Sequence, residues 1–271
     1  MKILACGDVV GKKARKMLIE KIPELRQKLG LDLVVLNAEN AAHGFGITED
    51  MCKAFFAAGV DVLTMGNHTW DKRDIVSFIA VEPRLIRPAN YPEHTPGNGF
   101  CEVTLQDGRK AAVIQLMGTL FIDPLDNPFS YMQKWLEQHI LTQGYQAIVL
   151  DFHAEATSEK MAMGHFCDGK VSLVFGTHTH VPTADAMILD NGTAYITDAG
   201  MCGDYHSVLG MKAPEAVLRF TDRIRSEHLS PAEGEPTICG VYVETDDYTG
   251  LATKIEPVRI GGRLASAVPM C

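Results

Sequence analysis

The sequence predicts an α/β protein, a mixed β-sheet sandwich flanked by helices, and three observations point to this fold class. In the first third of the chain, short apolar runs alternate with longer stretches of helical periodicity. A β-hairpin pattern occupies the middle, and short strand-like runs recur towards the C-terminus. A chain of 271 residues with 46% hydrophobic side chains can bury a substantial core. We expect one domain that spans residues 1–271.

The first third of the chain has the pattern of βαβ units. Apolar runs at 3–6, 33–36 and 60–65 predict strands, and the periodic stretch 14–29 predicts a helix interrupted by Pro23. Strands that alternate with helices form a buried parallel sheet, and ligands gather at the carboxyl ends of its strands. The sequence therefore predicts a functional edge on this sheet.

The rest of the chain adds antiparallel strands. Segments 99–105 and 110–117 flank a Gln-Asp-Gly-Arg turn, which predicts a hairpin and a mixed sheet. A helix is predicted over 131–141. Further strands are predicted at 147–152, 171–175, 194–197, 240–244 and 251–257, the last three of which would form a second, antiparallel layer.

Charge and cysteine usage limit the partners and the compartment. With Lys+Arg 25 and Asp+Glu 34, the net charge of −9 disfavours binding to duplex nucleic acid. Seven cysteines without a C-x-x-C pair indicate free thiols in a reducing compartment. The N-terminal apolar run is too short for a signal peptide or a membrane span. We expect a cytoplasmic protein without a membrane partner, and a homo-oligomer is left open.

Side chains that can bind metal follow five of the predicted strands. Each has an ordinary explanation when taken alone, such as a turn cap or a buried histidine with its hydrogen bonds satisfied. Their joint placement at the edge of one sheet favours a metal site instead. The candidate ligands are Asp8, Glu39, Asn40, Asn67, His153, His178 and His180.

The chemistry of these candidates favours two transition-metal ions. In an extended His-x-His segment, His178 and His180 point the same way while Thr179 is turned aside. Carboxylate, imidazole and amide donors suit iron, manganese or zinc, and the absence of cysteine argues against a structural zinc site. Seven donors exceed the needs of one ion, so one carboxylate must bridge two.

Glu39 is the natural bridging carboxylate. Asp8, Asn40 and His180 would complete one metal site, and Asn67, His153 and His178 would complete the other. Two neighbouring ions can lower the pKa of a shared water and stabilise both the attacking and the leaving oxygen of a phosphoryl group. The residues alone therefore point to a metal-dependent phosphoesterase.

An ordered set of motifs resembles the calcineurin-like metallophosphoesterases, most closely the bacterial YmdB-type branch. The motifs are GDVVG at 7–11, NAEN at 37–40, GNHTWD at 66–71 and GTHTHVPTADAMIL from Gly176, and the similarity extends through TSEKMAMGHFCDGKVS and GTAYITDAGMCG. The resemblance covers nearly the whole chain. It implies a four-layer α/β/β/α sandwich.

The chain departs from the wider superfamily at two positions. Val10 stands where a histidine is usual, and Glu39-Asn40 replaces the Asp of the second motif. In the YmdB-type branch the Glu bridges and the Asn substitutes for the lost His, so the resemblance implies a dinuclear centre, with iron favoured over manganese and zinc. The branch hydrolyses 2′,3′-cyclic nucleotides, with 3′,5′-cyclic nucleotides and related phosphodiesters as further candidates.

His68 corresponds to the proton donor of that branch. Its position beside Asn67 would let it reach a reacting phosphate without binding metal, and histidine is a residue type that commonly serves as a general acid. The alternative is that His68 only stabilises the turn. Two other functions stay open: a metal-containing regulatory protein that binds nucleotide or RNA with little turnover, and a P-loop at GDVVGKKARK, which lacks the usual spacing and the terminal Ser or Thr.

Overall fold

Two six-stranded mixed sheets form the centre of the computed structural model, which describes residues 1–222 and 229–269. The helices of these residues are α1 (Gly11–Leu29), α2 (Glu49–Ala57), α3 (Ile75–Ile79), α4 (Pro128–Leu136), α5 (Thr157–Cys167) and α6 (Ala213–Thr221). The strands are β1 (Lys2–Cys6), β2 (Asp8–Val9), β3 (Leu33–Asn37), β4 (Val62–Thr64), β5 (Leu85–Ile86), β6 (Phe100–Thr104), β7 (Lys110–Met117), β8 (Ala147–His153), β9 (Leu173–Thr177), β10 (Met187–Ile188), β11 (Ala194–Ile196), β12 (Met201–Cys202), β13 (Ile238–Thr245) and β14 (Ala252–Ile260).

The first sheet has the strand order β14-β13-β1-β3-β4-β5. Strands β1, β3, β4 and β5 are parallel, whereas β13 is antiparallel to β1 and β14 is antiparallel to β13. The βαβ prediction for the first third is therefore confirmed. The two C-terminal strands do not start a separate antiparallel layer as predicted, because β13 pairs with the free edge of β1.

The second sheet has the strand order β10-β11-β9-β8-β7-β6. Strands β7, β8, β9 and β11 are parallel, and β6 and β10 run antiparallel at its two edges. The predicted hairpin is confirmed as β6 and β7. The predicted strand at 194–197 was also assigned to the wrong layer, because β11 pairs in parallel with β9.

Apolar side chains from the two sheets pack against each other. Ile3 and Val35 of the first sheet share a buried cluster with Val113, Val149 and Phe175 of the second. Successive side chains of a strand point to opposite faces, so the residues between them cover the outer faces. The central strands β1, β3, β8 and β9 are largely apolar because both of their faces are buried.

Helices cover the outer face of each sheet. Leu18 and Phe55, from α1 and α2, pack with Leu4 and Leu36 of the first sheet. Trp135 of α4 and Met163 of α5 pack in the same way against β8. The layers are therefore helix, sheet, sheet and helix, which confirms the predicted fold class.

Several finer predictions differ from the structure. Pro23 lies inside α1 without ending it, and the helix predicted over 131–141 runs instead from Pro128 to Leu136. Six cysteines are buried and free as predicted, and Cys271 lies outside the described residues. No helix in the described ranges is long and apolar enough to cross a bilayer. The single-domain assignment stays a prediction.

Candidate metal centre

The carboxyl ends of strands from both sheets meet at one edge of the sandwich. Asp8 lies in β2, just after β1, and Glu39 follows β3; His153 ends β8, and His178 follows β9. The strand tips were predicted to belong to one sheet, and this is wrong because β8 and β9 are in the second sheet. The site therefore forms only when the two sheets pack together.

Three donor atoms surround Nε2 of His153, which is fully buried. Nδ1 of His178 lies 3.1 Å away, Oδ1 of Asn67 3.0 Å and Oε1 of Glu39 3.2 Å. One imidazole nitrogen carries at most one proton and cannot donate to all three neighbours. Donor atoms of Glu39, His153 and His178 lie within 4.8 Å of one another, a spacing that could hold one ion.

Gly66 leaves the space that these donors face. A Cβ at this position would lie 2.3 Å from Oε2 of Glu39 and 2.5 Å from Nε2 of His153. Any side chain at Gly66 would therefore fill the space among the donors. The pocket and the chemistry of its donors both fit a transition-metal ion.

A second group of donors lies on the other side of Asp8. Nε2 of His180 is 3.3 Å from Oδ1 of Asn40 and 3.9 Å from Oδ1 of Asp8. The amide nitrogen of Asn40 donates to the carbonyl of Gly44, which directs its oxygen towards His180. Nδ1 of His180 donates a hydrogen bond to the carbonyl oxygen of Leu209 at 3.0 Å. The free Nε2 and the two oxygens form a second set of candidate ligands.

The prediction that His178 and His180 point the same way because their segment is extended is wrong, since the backbone at both residues is not extended. Strand β9 ends at Thr177, and the φ angles of His178 and His180 are 93° and 64°. Positive φ is uncommon for residues with a side chain and occurs often at functional sites. A tight turn brings the two imidazoles to the centre.

A buried ion pair holds this turn in place. Thr179 is turned away from the site, as predicted, and its hydroxyl and backbone N–H donate to Asp198 at 2.7 and 3.1 Å. The Nζ of Lys160 lies 2.7 Å from the same carboxylate, and both residues are almost fully buried. Because each partner would be an uncompensated buried charge without the other, the pair fixes the conformation of the turn.

Burial and charge shift the pKa values of Glu39 and His153 in opposite directions and that of His178 in the same direction. Burial alone would raise the pKa of Glu39, but the nearby charge of His153 holds it at about 2. Burial would lower the pKa of His153, but Glu39 and Asp8 raise it to about 9. Burial and the charge of His153 lower the pKa of His178 to about 3. A cation that binds Nε2 of His153 therefore competes with a proton, whereas His178 is neutral at pH 7.

His68 lies beside the donors but outside both groups. Its backbone N–H donates to Oε2 of Glu39 at 2.9 Å, and its Nδ1 is 2.7 Å from Oδ2 of Asp71. The ring of Phe45 contacts the imidazole edge-on at 5.0 Å between centroids. With Nδ1 held by Asp71, the tautomer is fixed and Nε2 is available for chemistry.

A cavity of about 280 Å³ opens directly onto the candidate ligands. We call it the site cavity. Its floor includes Glu39, Asn40, His68, His178 and His180, and its walls are largely apolar. The walls include Phe45, Val208, Leu209, Met211, Phe220 and Leu229.

The sequence matches the family described as YmdB-like protein over residues 4–258. The chain belongs to the YmdB-like family. It is 47% identical over 260 residues to a 2′,3′-cyclic-nucleotide 2′-phosphodiesterase of Bacillus subtilis strain 168, which covers 96% of this chain and 97% of that protein. The predicted family resemblance is confirmed.

Two solved structures resemble this YmdB-like protein along almost its whole length. A hypothetical protein from Thermus thermophilus superposes with a TM-score of 0.90 and 36% identity, covering 97% of this chain and all of that one. A novel phosphatase from Mycoplasma pneumoniae gives a TM-score of 0.88 and 35% identity, covering 96% and 93%. The fold is that of calcineurin-like phosphoesterases, and membership of this metallophosphoesterase family implies divalent metal ions.

Three residues that contact the candidate ligands of this YmdB-like protein were not predicted from the sequence. The Thr177 hydroxyl lies 2.9 Å from Nδ1 of His153 and donates to Oδ1 of Asp151 at 2.7 Å. Glu155 lies 3.1 Å from Nε2 of His178. Such contacts on the outer nitrogen of a histidine orient its inner nitrogen towards a metal. Asp151 could have been singled out from the sequence, because it is a charged residue inside the otherwise apolar run 147–152.

Asp151 is completely buried and receives several further hydrogen bonds. Thr64 donates at 2.5 Å, Asn37 at 3.1 Å and Gln115 at 3.2 Å to its Oδ2. Burial raises its pKa to about 6 despite the nearby His153. The network ties β3, β4, β7 and β9 to β8, and so joins the two sheets beneath the candidate centre.

Thr177→Val is expected to weaken metal binding about 10- to 100-fold with little change in the fold. Valine has nearly the shape of threonine but cannot link Asp151 to Nδ1 of His153, so the imidazole loses its fixed orientation. Titration of the metal-free protein with Mn²⁺ measures the change. Thr253→Val, at an exposed hydroxyl of β14, is the matched control, and equal affinities for the two variants would contradict the positioning role.

Proposed function

We propose that this protein is a dinuclear metal-dependent phosphodiesterase that hydrolyses 2′,3′-cyclic nucleotides at the bond to O2′. The observation that carries the proposal is the convergence of two donor groups beside His68, with Glu39, Asn40, His178 and His180 lining one cavity and Glu39, His153 and His178 spaced to hold an ion. The 47% identity to a 2′,3′-cyclic-nucleotide 2′-phosphodiesterase supports the substrate class, and the chain is a hydrolase of phosphodiesters.

The two donor groups would hold one ion each. Asn67, His153 and His178 would bind one ion, and Asp8, Asn40 and His180 would bind the other. Glu39 would bridge them, because its Oε1 lies 3.2 Å from Nε2 of His153 and it lines the same cavity as Asn40 and His180 of the other group. When bound, two such ions supply a nucleophilic water at neutral pH and charge stabilisation at the phosphoryl oxygens. Iron is the favoured metal, with manganese and zinc as alternatives.

The site cavity would orient the nucleoside. Its volume of about 280 Å³ is near the lower end for small-molecule pockets, roughly 300–1,000 Å³, and suits one nucleotide. Phe45, Leu209 and Phe220 give an apolar surface for the base, and Arg219 lines the same cavity. A base stacked there would place its cyclic phosphate towards the donor-lined floor.

His68 would protonate the leaving oxygen. Hydrolysis forms a bond from a water oxygen to phosphorus and breaks the bond from phosphorus to O2′. Nε2 of His68 would donate a proton to O2′, and Asp71, 2.7 Å from Nδ1, would stabilise the protonated ring before that transfer. The product is a nucleoside 3′-phosphate with a free 2′-hydroxyl.

A substrate panel tests the proposal. We expect adenosine 2′,3′-cyclic phosphate to be hydrolysed fastest, followed by bis(p-nitrophenyl) phosphate, with p-nitrophenyl phosphate slowest. The rate on a 3′,5′-cyclic nucleotide shows whether the site also accepts the larger cyclic phosphate ring. Chromatography identifies the 3′-phosphate product of the 2′,3′-cyclic substrate. Faster hydrolysis of the monoester would contradict the proposed class. Tight nucleotide binding without hydrolysis in the metal-loaded protein would favour the regulatory alternative.

A further inference from the structure

A second cavity, lined by lysines, lies next to the site cavity. Its volume is about 440 Å³, and we call it the lysine cavity. Four separate segments of the chain build it: the first turns of α1, the loop at His43, residue 212, and residues 230–233. Among the described residues that line it, the cationic side chains are Lys12, Lys13, Lys16 and Lys212, and the acidic one is Glu233.

This local charge is opposite to that of the whole chain, whose net charge is −9. All four lysines are exposed. Within the described ranges, Lys16 approaches Glu20 at 3.8 Å, whereas Lys12, Lys13 and Lys212 form no ion pair. A concave site with several unpaired ammonium groups concentrates anions locally even when the rest of the surface repels them.

The start of α1 reinforces this positive potential. The helix has no acidic residue in its first turn and receives no side-chain cap from Val10. Its first N–H groups and the helix dipole favour a negative charge at that end. Lysines at positions 12 and 13 are therefore unfavourable for the isolated helix, and a bound anion would relieve that repulsion.

One thin wall separates the two cavities. Met211 faces the site cavity and the next residue, Lys212, lines the lysine cavity. Likewise, Gly44 lines the site cavity and its neighbour His43 lines the lysine cavity. The wall is held by backbone hydrogen bonds from Lys212 to Ser230 at 2.9 Å and from Ala232 to Gly210 at 2.8 Å. A chain of nucleotides with its end in the site cavity would pass directly over this wall.

We propose that the lysine cavity binds a backbone phosphate upstream of the scissile cyclic phosphate, so that the preferred substrate is a short oligoribonucleotide ending in a 2′,3′-cyclic phosphate. This inference rests on the proposed function and extends it from a mononucleotide to a chain. Ammonium groups in a wide, solvated cavity bind phosphate as point charges. The lysine cavity therefore adds affinity for the chain without reading its base sequence.

The test compares the hydrolysis of a mononucleotide with that of a tetranucleotide. The substrates are adenosine 2′,3′-cyclic phosphate and a tetra-adenylate with the same cyclic end. The variant is Lys12→Ala/Lys13→Ala/Lys212→Ala, and alanine at the start of α1 preserves helix propensity. The control, Lys110→Ala/Lys134→Ala, removes exposed lysines that line neither cavity.

We expect the unmodified protein to have about tenfold higher kcat/KM for the tetranucleotide, and the triple variant to lose this preference while it hydrolyses the mononucleotide at an unchanged rate. The control should retain the preference. Each phosphate bound by the lysines should also make the slope of log kcat/KM against log salt concentration more negative by roughly 0.7. Equal losses on both substrates, or an intact preference in the triple variant, would overturn the proposal.

A binding measurement separates this inference from the proposed function. Fluorescence anisotropy with a labelled tetra-adenylate that ends in a 3′-phosphate needs no turnover. Binding that is weakened about tenfold in the triple variant and unchanged in the control supports the lysine cavity even if the protein hydrolyses no cyclic nucleotide. Turnover of the mononucleotide with equal oligonucleotide binding by all three proteins refutes the lysine cavity and leaves the proposed function intact.

Discussion

Glu39→Gln is expected to prevent the binding of both metal ions and to lower phosphodiester hydrolysis about a thousandfold. Glutamine keeps the shape of the side chain and can still accept the N–H of His68, but it lacks the charge needed to bridge two cations. Loss of the metal-bound water and of charge stabilisation removes several kcal/mol, and a thousandfold corresponds to about 4 kcal/mol at about 1.4 kcal/mol per tenfold. Elemental analysis of reconstituted protein measures the metal content.

Asp8→Asn is the matched comparison for Glu39→Gln. Asp8 is buried like Glu39 and also changes from carboxylate to amide, but we place it at one ion only. This variant should keep about one ion per chain, whereas Glu39→Gln keeps little of either. Thermal unfolding of the metal-free proteins shows whether each variant is folded. Two ions per chain in folded Glu39→Gln would contradict the bridge.

His68→Ala is expected to keep both metals and the fold but to lose most turnover of cyclic nucleotides. General-acid catalysis contributes roughly a hundred- to ten-thousand-fold, or about 3–5 kcal/mol of barrier. The loss should depend on the leaving group, because p-nitrophenolate needs little protonation and a nucleoside alkoxide needs much. Hydrolysis of bis(p-nitrophenyl) phosphate should therefore suffer less than that of adenosine 2′,3′-cyclic phosphate.

His94→Ala, at an exposed histidine outside the site cavity, is the control for this experiment. Metal analysis of His68→Ala is the decisive companion measurement. A lost ion would make His68 a ligand and would contradict the assignment of Asn67 alone at that strand tip. Equal slowing of both substrates with intact metal content would instead mean that His68 positions the phosphate, and the general acid would have to be another group.

The sequence by itself was sufficient to predict the strands of three or more residues and to single out the candidate ligands, whereas the two-residue strands β2, β5, β10 and β12 were not predicted. Buried parallel strands require apolar residues on both faces, so polar residues directly after such runs are conspicuous. Asp8, Glu39 and His153 were found in this way because each follows or ends a run whose type is decided by local periodicity. Their proximity in the structure agrees with the prediction, and their roles as ligands stay a prediction.

Only the tertiary structure decided how these segments meet. Whether β8 joins the sheet of β1 or a second sheet depends on pairing between residues far apart in sequence, which local periodicity does not encode. The turn that contains His178 and His180 is bonded through Thr179 to Asp198, which pairs with Lys160. The imidazole of His153 contacts Thr177, which donates to Asp151. The lysine cavity likewise joins four segments that are separate in the sequence. Apolar periodicity is a property of neighbours in the chain, whereas ligand orientation and local charge arise from neighbours in space.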